Sequence, residues 1–344
     1  MTHRRYFLIA IALVCASSIS CSPDEVSLQG SGATFPAPLY KRWFLEYYRL
    51  HPEVQVNYQP IGSGAGIRQF TEGLTAFGAS DAAMSDAEMA KVPADTGVML
   101  LPMTAGSISM AYNLPGTPPL RLSRRVLADI LLGKITDWSD PALAEINKDV
   151  KLPALPITFV RRSEGSGTTF AFTNHLTAVS PEWKKEVGVG KSVVWKVGIG
   201  AKGNSGVAAL IDQTPGAIGY IETGYAELTH LPTASLENKA GNYVKADAKS
   251  AQAALAGSEM PPNLRLFIAD PAGEQAYPIV TYTWILCHKN YSGLRGDPKT
   301  STALKAVLRY CLTEGQQYSE SLGYVPLPEQ VVQQVLKAVD SIQP

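Results

Sequence analysis

Blocks of apolar positions recur along the chain, and their period changes from block to block. Val26 to Gln29 reads as a short strand, and the loop from Gly30 to Pro38 feeds a helix. In that helix Leu39, Trp43, Phe44, Tyr47 and Leu50 recur at helical spacing, and His51-Pro52 ends it. Val54 to Tyr58 alternates as a half-buried strand, then Ile61-Gly62-Ser63-Gly64-Ala65-Gly66 leads to a second helix. Phe77 to Asp81 closes a third strand-like run, and Ser85 opens a helix near Asp86 to Lys91. Val98 to Met103 and Ser107 to Asn113 are apolar strands divided by Thr104-Ala105-Gly106, read as a crossing between lobes.

The second half continues in the same manner. Pro115 to Pro119 is a surface turn, Ser123 caps a helix running to Leu132, and Gly133 to Trp138 follows it. Ile157 to Arg161 is a strand, Ser205 to Gln213 a helix, Ala217 to Ile221 a strand, and Asn238 to Asp247 a polar loop. Tyr277-Pro278-Ile279 carries the chain back to the first lobe, where Tyr282 to His288 supplies a strand. Two closing helices centre on Leu304, Val307 and Leu308 and on Val331, Val332, Val335 and Val339. Strands alternating with helices predict an α/β fold, and ligands of such folds sit outside the carboxyl ends of strands. With 344 residues the chain is long for one core, which favours two lobes.

The amino end has a different character. His3-Arg4-Arg5 precedes an apolar run from Tyr6 to Ala16 and small residues up to Cys21, the pattern of an export signal over 1–20. The run is shorter than the ~20 residues a membrane span needs. Ser18-Ile19-Ser20-Cys21 is similar to a bacterial lipoprotein box, with Ser18 where leucine is usual, and residues 21–25 would form a tether. Acylation at Cys21 and plain cleavage with release are both open. Cys287 and Cys311 are open between a disulfide, which an exported chain permits, and two buried thiols.

Charge removes one class of function. Thirty basic residues balance thirty acidic ones, so no net field draws in nucleic acid. The histidines His3, His51, His175, His230 and His288 are scattered without a metal-ligand spacing, and His175 reads as a polar helix residue. Gly-x-Ser-x-Gly, the Walker loop and Gly-x-Gly-x-x-Gly are all missing from the loops around Gly30, Ser63 and Ser166. The expectation is a protein without catalysis, cofactor or metal.

What remains is a set of loops rich in glycine and hydroxyls, each after a strand: Thr34-Phe35, Ser63-Gly64, Ser80-Asp81 and Arg162 to Thr168. Arg161-Arg162-Ser163-Glu164-Gly165-Ser166-Gly167-Thr168 puts a guanidinium, a carboxylate and hydroxyls at a helix start, where unpaired N–H groups already favour an anion. Asp81 is either a cap or turn residue, or an acceptor for a proton carried by the anion. Phosphate has such a proton near neutral pH and sulfate does not. An unmet buried contact costs about 1–3 kcal/mol, which is about tenfold or more in selectivity.

These runs carry a resemblance. Gly30 to Pro38, Val56 to Gln59 with Ile61-Gly62-Ser63, Phe77 to Asp81, Gly133-Lys134-Ile135, Arg161-Arg162 with Gly165 to Thr168, Pro215 to Tyr220 and Tyr277-Pro278-Ile279 resemble the periplasmic phosphate-binding proteins of bacterial high-affinity phosphate ABC transporters. The resemblance implies a type II periplasmic binding protein fold, in which each of two lobes is a mixed sheet flanked by helices and two strands form the hinge. Lobe 1 is then 26–103 plus 279–344, and lobe 2 is 104–278. It also implies the ligand set Thr34, Phe35, Ser63, Asp81, Arg162, Ser166, Gly167 and Thr168, with Glu164 behind Arg162 where relatives often carry aspartate. The implied function is capture of inorganic phosphate outside the cytoplasm and delivery to membrane permease subunits. Other oxyanions such as arsenate, sulfate or molybdate, an extracellular phosphoesterase, and a surface sensor or adhesin are the alternatives.

Overall fold

The structure, a computed structural model, describes residues 25–114, 116–294 and 298–344. The leader, Cys21 and Pro115 of the predicted surface turn lie outside the described residues.

In chain order the elements begin β1 Val26–Gly32, α1 Ala37–Leu50, β2 Val54–Pro60, α2 Ser63–Thr71, β3 Phe77–Ser80, α3 Asp86–Met89 and β4 Met99–Tyr112. Next come β5 Arg121–Leu122, α4 Arg124–Leu131, α5 Pro141–Ile146, β6 Thr158–Arg162, α6 Gly167–Val179, α7 Pro181–Glu186, β7 Ile199–Ala201 and α8 Gly203–Gln213. Then follow β8 Ala217–Glu222, α9 Thr223–Leu228, β9 Ser235–Glu237, β10 Tyr243–Val244, α10 Ala248–Ala256 and β11 Val280–Cys287. The chain closes with α11 Thr300–Leu312, two short 3-10 turns, β12 Tyr324–Val325 and α12 Glu329–Asp340.

One mixed sheet runs through the molecule in the order β2-β1-β3-β11-β4-β8-β6-β7, with β12 on β4, and a small sheet β10-β9-β5 stands apart. Parallel pairs β1/β2, β1/β3, β6/β8 and β6/β7 build its two ends. Antiparallel β11 and β4 join them in the middle. The long strand β4 pairs with β11 as far as Ser107 and with β8 from Ile108 onward. This α/β, two-lobed arrangement agrees with the expected fold class.

The break expected at Thr104-Ala105-Gly106 does not exist. All three residues are paired to β11, and Ala105 and Gly106 also to β12. The small residues serve packing: a Cβ on Gly106 would stand 2.9 Å from the Phe35 ring. The run expected to separate two strands is therefore the place where a bulky aromatic lies against one continuous strand.

Other expectations hold. Of the predicted α1 stripe Leu39, Trp43, Phe44 and Tyr47 are buried, with Tyr40 beside them, while Leu50 at the helix end is exposed, and Ser123 accepts the Val126 N–H as the cap of α4. Asn238 to Asp247, expected as a polar insertion or loop, departs from that reading: it contains β10, and Asn238 is buried, its Nδ2 donating to the carbonyls of Gly273, Glu274 and Ala276. Cys287 and Cys311 are free and buried, which settles the cysteine question in favour of thiols. Among the described residues no helix is long and apolar enough to cross a membrane.

Candidate functional site

Each predicted loop leaves the carboxyl end of a strand and points to one cleft. The Thr34-Phe35 loop follows β1, Ser63 opens α2 after β2, Asp81 follows β3, and Ser166 to Thr168 open α6 after β6, whose last residue is Arg162. Strand propensity ends at the glycines, and helix starts supply unpaired N–H groups at that point. All eight predicted ligand residues are buried.

Contacts across the cleft are tight. The Gly64 N–H donates to the Gly165 carbonyl at 2.8 Å. A Cβ on Gly167 would come within 2.6 Å of the Asp81 nitrogen and 2.7 Å of the Ser63 Oγ, so only glycine fits there. Ser166 caps α6, its Oγ accepting the Thr169 N–H at 3.1 Å.

Asp81 is the acidic centre of the site. Thr283 donates to its Oδ1 at 2.9 Å, Thr168 to its Oδ2 at 3.4 Å, and Thr281 to its carbonyl at 3.1 Å. Its own N–H donates to Ser63 Oγ at 3.3 Å, and its carboxylate does not cap α3, where Ser85 is the cap. Burial pushes its carboxyl up to about 7, against the pull of Thr283, Arg162, Thr168 and Ser63.

Arg162 is only 3% exposed and is bonded on its far side. Its Nε donates to Glu164 Oε1 at 2.9 Å, Nη2 reaches the same oxygen, and Nη1 donates to Thr168 Oγ1 at 3.2 Å. The longer side chain of Glu164 therefore reaches the arginine, and Oε1 also accepts the Gly203 N–H at 3.0 Å. Burial alone would raise the Glu164 carboxyl, but the charge and hydrogen bonds of Arg162 outweigh it and hold the group below its ordinary value.

Several groups escaped the reading of the sequence. Asn204, fully buried in the first turn of α8, donates from Nδ2 to Thr34 Oγ1 at 3.0 Å and to Thr168 Oγ1 at 3.5 Å. Tyr225 donates to the Thr34 carbonyl and Tyr324 to the Phe35 carbonyl, both at 2.7 Å, which fixes that loop. Tyr220 accepts the Arg162 N–H at 3.2 Å. The signal for Asn204 was available: Gly203-Asn204-Ser205-Gly206 follows β7 as the other glycine-hydroxyl loops follow their strands. His175 lies on α6, the helix position expected for it, and is buried there with Nδ1 at 2.9 Å from the Ala269 carbonyl. Among the described residues no three His, Cys, Asp or Glu side chains could hold a metal ion.

A donor-lined cleft between two ends of a hinged mixed sheet defines a two-lobed solute-binding protein, and the family model of a PBP superfamily domain matches residues 20–314. Within that class, the chain belongs to the family of phosphate-binding proteins PstS. It is 39% identical to the phosphate-binding protein PstS of Pasteurella multocida over 336 residues, 96% of this chain and 94% of the relative. It is also 39% identical to the PstS protein of Methanocaldococcus jannaschii over 342 residues, 93% and 87% of the two chains. In fold it is similar to a substrate-binding protein from Clostridium perfringens assigned to a phosphate ABC transporter and solved with bound phosphate. The TM-score is 0.65 at 18% identity, over 88% of this chain and all of the other.

Proposed function

We propose that this cleft captures inorganic phosphate outside the cytoplasm and that the protein delivers it to an ABC-type permease, without catalysis. The observation that carries the proposal is the pairing of Asp81 with Arg162. A buried carboxylate and a buried guanidinium are linked through the Thr168 hydroxyl in a cleft otherwise furnished with N–H and O–H donors. Arg162, Ser63, Ser166, Thr34 and Thr168, with the N–H groups of Phe35 and Gly167, surround the anion, and Asp81 accepts its proton. Glu164 holds the guanidinium in the plane that this requires. The names of the PstS relatives and the phosphate bound to the Clostridium protein favour phosphate.

The two lobes close on the ligand about β4 and β11. The change of partner along β4 at Ser107 and Ile108 favours a division there, slightly later than that between 103 and 104. Cys21 is the lipid attachment point, and the tether holds the receptor at the outer face of the membrane or in the periplasm. Radiolabelled fatty acid incorporated by the wild type and not by Cys21→Ala tests this. A colorimetric phosphate-ester assay that detects turnover would overturn the non-catalytic reading.

Calorimetric titration tests the ligand. Phosphate is expected to bind with one-to-one stoichiometry at pH 8, and sulfate about tenfold or more weaker. Equal affinities at that pH would remove Asp81 from its role and phosphate from the proposal.

A further inference from the structure

The cleft hydroxyls share a pattern that phosphate binding alone does not dictate. Thr34 Oγ1 accepts from two N–H donors of Asn204, the backbone nitrogen at 3.3 Å and Nδ2 at 3.0 Å. Thr168 Oγ1 accepts from Arg162 Nη1 at 3.2 Å and from Asn204 Nδ2 at 3.5 Å. A hydroxyl has one proton and two lone-pair sites, and an N–H donor cannot take that proton. Each hydroxyl held in this way has to direct its own proton elsewhere. For Thr168 the direction is Asp81 Oδ2 at 3.4 Å.

The orientation of the Asn204 amide is itself forced. Its Oδ1 accepts the Glu222 backbone N–H at 3.0 Å, and a backbone N–H can only donate. The NH2 end of the amide therefore faces Thr34 and Thr168. Thr34 follows β1 at one end of the sheet, whereas Thr168 and Asn204 belong to α6 and α8 at the other, so the contact spans the cleft. Next to it, the Gly203 N–H is held by the same Glu164 Oε1 that holds Arg162.

We propose that Asn204 is a positioning residue that sets the polarity of the cleft: by donating to Thr34 on the opposite side, it commits that hydroxyl as a donor toward a bound oxyanion, while the Thr168 proton is turned to Asp81. This rests on the phosphate reading of the cleft and deepens it. Asn204 needs no contact with the anion to act, because its effect passes through the Thr34 hydroxyl. Aspartate at this position is close in shape but accepts where the amide donates, so it would turn the Thr34 proton away from the anion.

The test is a double-mutant cycle with Asn204→Ala and Thr34→Val, read as phosphate dissociation constants by calorimetry with circular dichroism confirming the fold. Asn204→Ala is expected to weaken binding about tenfold in the wild-type background, and about twofold or less beside Thr34→Val, where no hydroxyl remains to be committed. Asn204→Asp is expected to weaken it more than alanine does. An equal loss in both backgrounds, or an aspartate variant that binds as the wild type does, would overturn the inference. Preference of the wild type for sulfate over phosphate would overturn the proposed function instead, and the same cycle would then be read with sulfate. A wild-type protein that binds neither phosphate, arsenate nor sulfate would overturn both.

Discussion

Asp81 works against the stability of the ligand-free protein. Its carboxyl ionises near the usual carboxylate value in the unfolded chain and at about 7 in the folded one. The unfolded state therefore sheds the proton first, and the stability that the folded state draws from a protonated Asp81 is lost as pH rises through about 7. Asp81→Asn should then raise the unfolding free energy of the ligand-free protein at pH 8 by about 1–3 kcal/mol, with little gain at pH 5, as measured by denaturant unfolding. The same titration governs selectivity. A protonated Asp81 can donate to sulfate, so the preference for phosphate over sulfate should shrink as pH falls from 8 to 5, and calorimetry across that range would show it. In Asp81→Asn the preference should be weak at every pH. At this scale the sequence disclosed the chemistry of the anion loops because each is a contiguous run of small residues. It did not disclose Asn204 or Thr283, whose roles depend on groups far away in the chain, Thr34 and Asp81.

Among the elements, β4 shows where sequence patterns mislead. Thr104-Ala105-Gly106 has the composition of a turn, yet pairing to β11 and β12 on both edges makes it the middle of the longest strand described. Side-chain volume at this point is set by Phe35, a residue of the cleft loop, and not by the local backbone. Gly106→Val should accordingly cost about 1–3 kcal/mol in chemical denaturation and weaken phosphate binding as well, because the Phe35 loop has to move. The helices were more legible, since an apolar stripe such as that of α1 is local information. The small sheet β5-β9-β10 was not, because two- and three-residue strands carry no period of their own. Two ion pairs tie α3 to later parts of the chain: Lys191 with Glu88 at 2.6 Å, and Arg265 with Asp86 at the start of the same helix, also at 2.6 Å. Such partly exposed pairs contribute about 1 kcal/mol or less.

At the level of the whole molecule, a ligand held by both ends of the sheet couples binding to shape and to stability. Phosphate at a hundred times its dissociation constant should stabilise the protein by about 2.7 kcal/mol and raise its melting temperature, while small-angle scattering records a more compact particle. A melting temperature unmoved by saturating phosphate would contradict binding at this cleft. Because basic and acidic residues balance, little long-range attraction draws the anion in, and affinity has to come from short-range donors inside the cleft.

The two free cysteines of β11 and α11 bear on where such a protein can work. Burial pushes the Cys287 thiol up to about 12 and raises that of Cys311 as well, so neither forms an appreciable thiolate near neutral pH. Neither residue is cross-linked, and both lie inside the core. Dithiothreitol should leave the unfolding midpoint unchanged, and alkylating reagents should modify these thiols only after denaturation. Folding between residues 25 and 344 then needs no disulfide to be formed or reshuffled, and the native state is indifferent to whether its surroundings are oxidising or reducing.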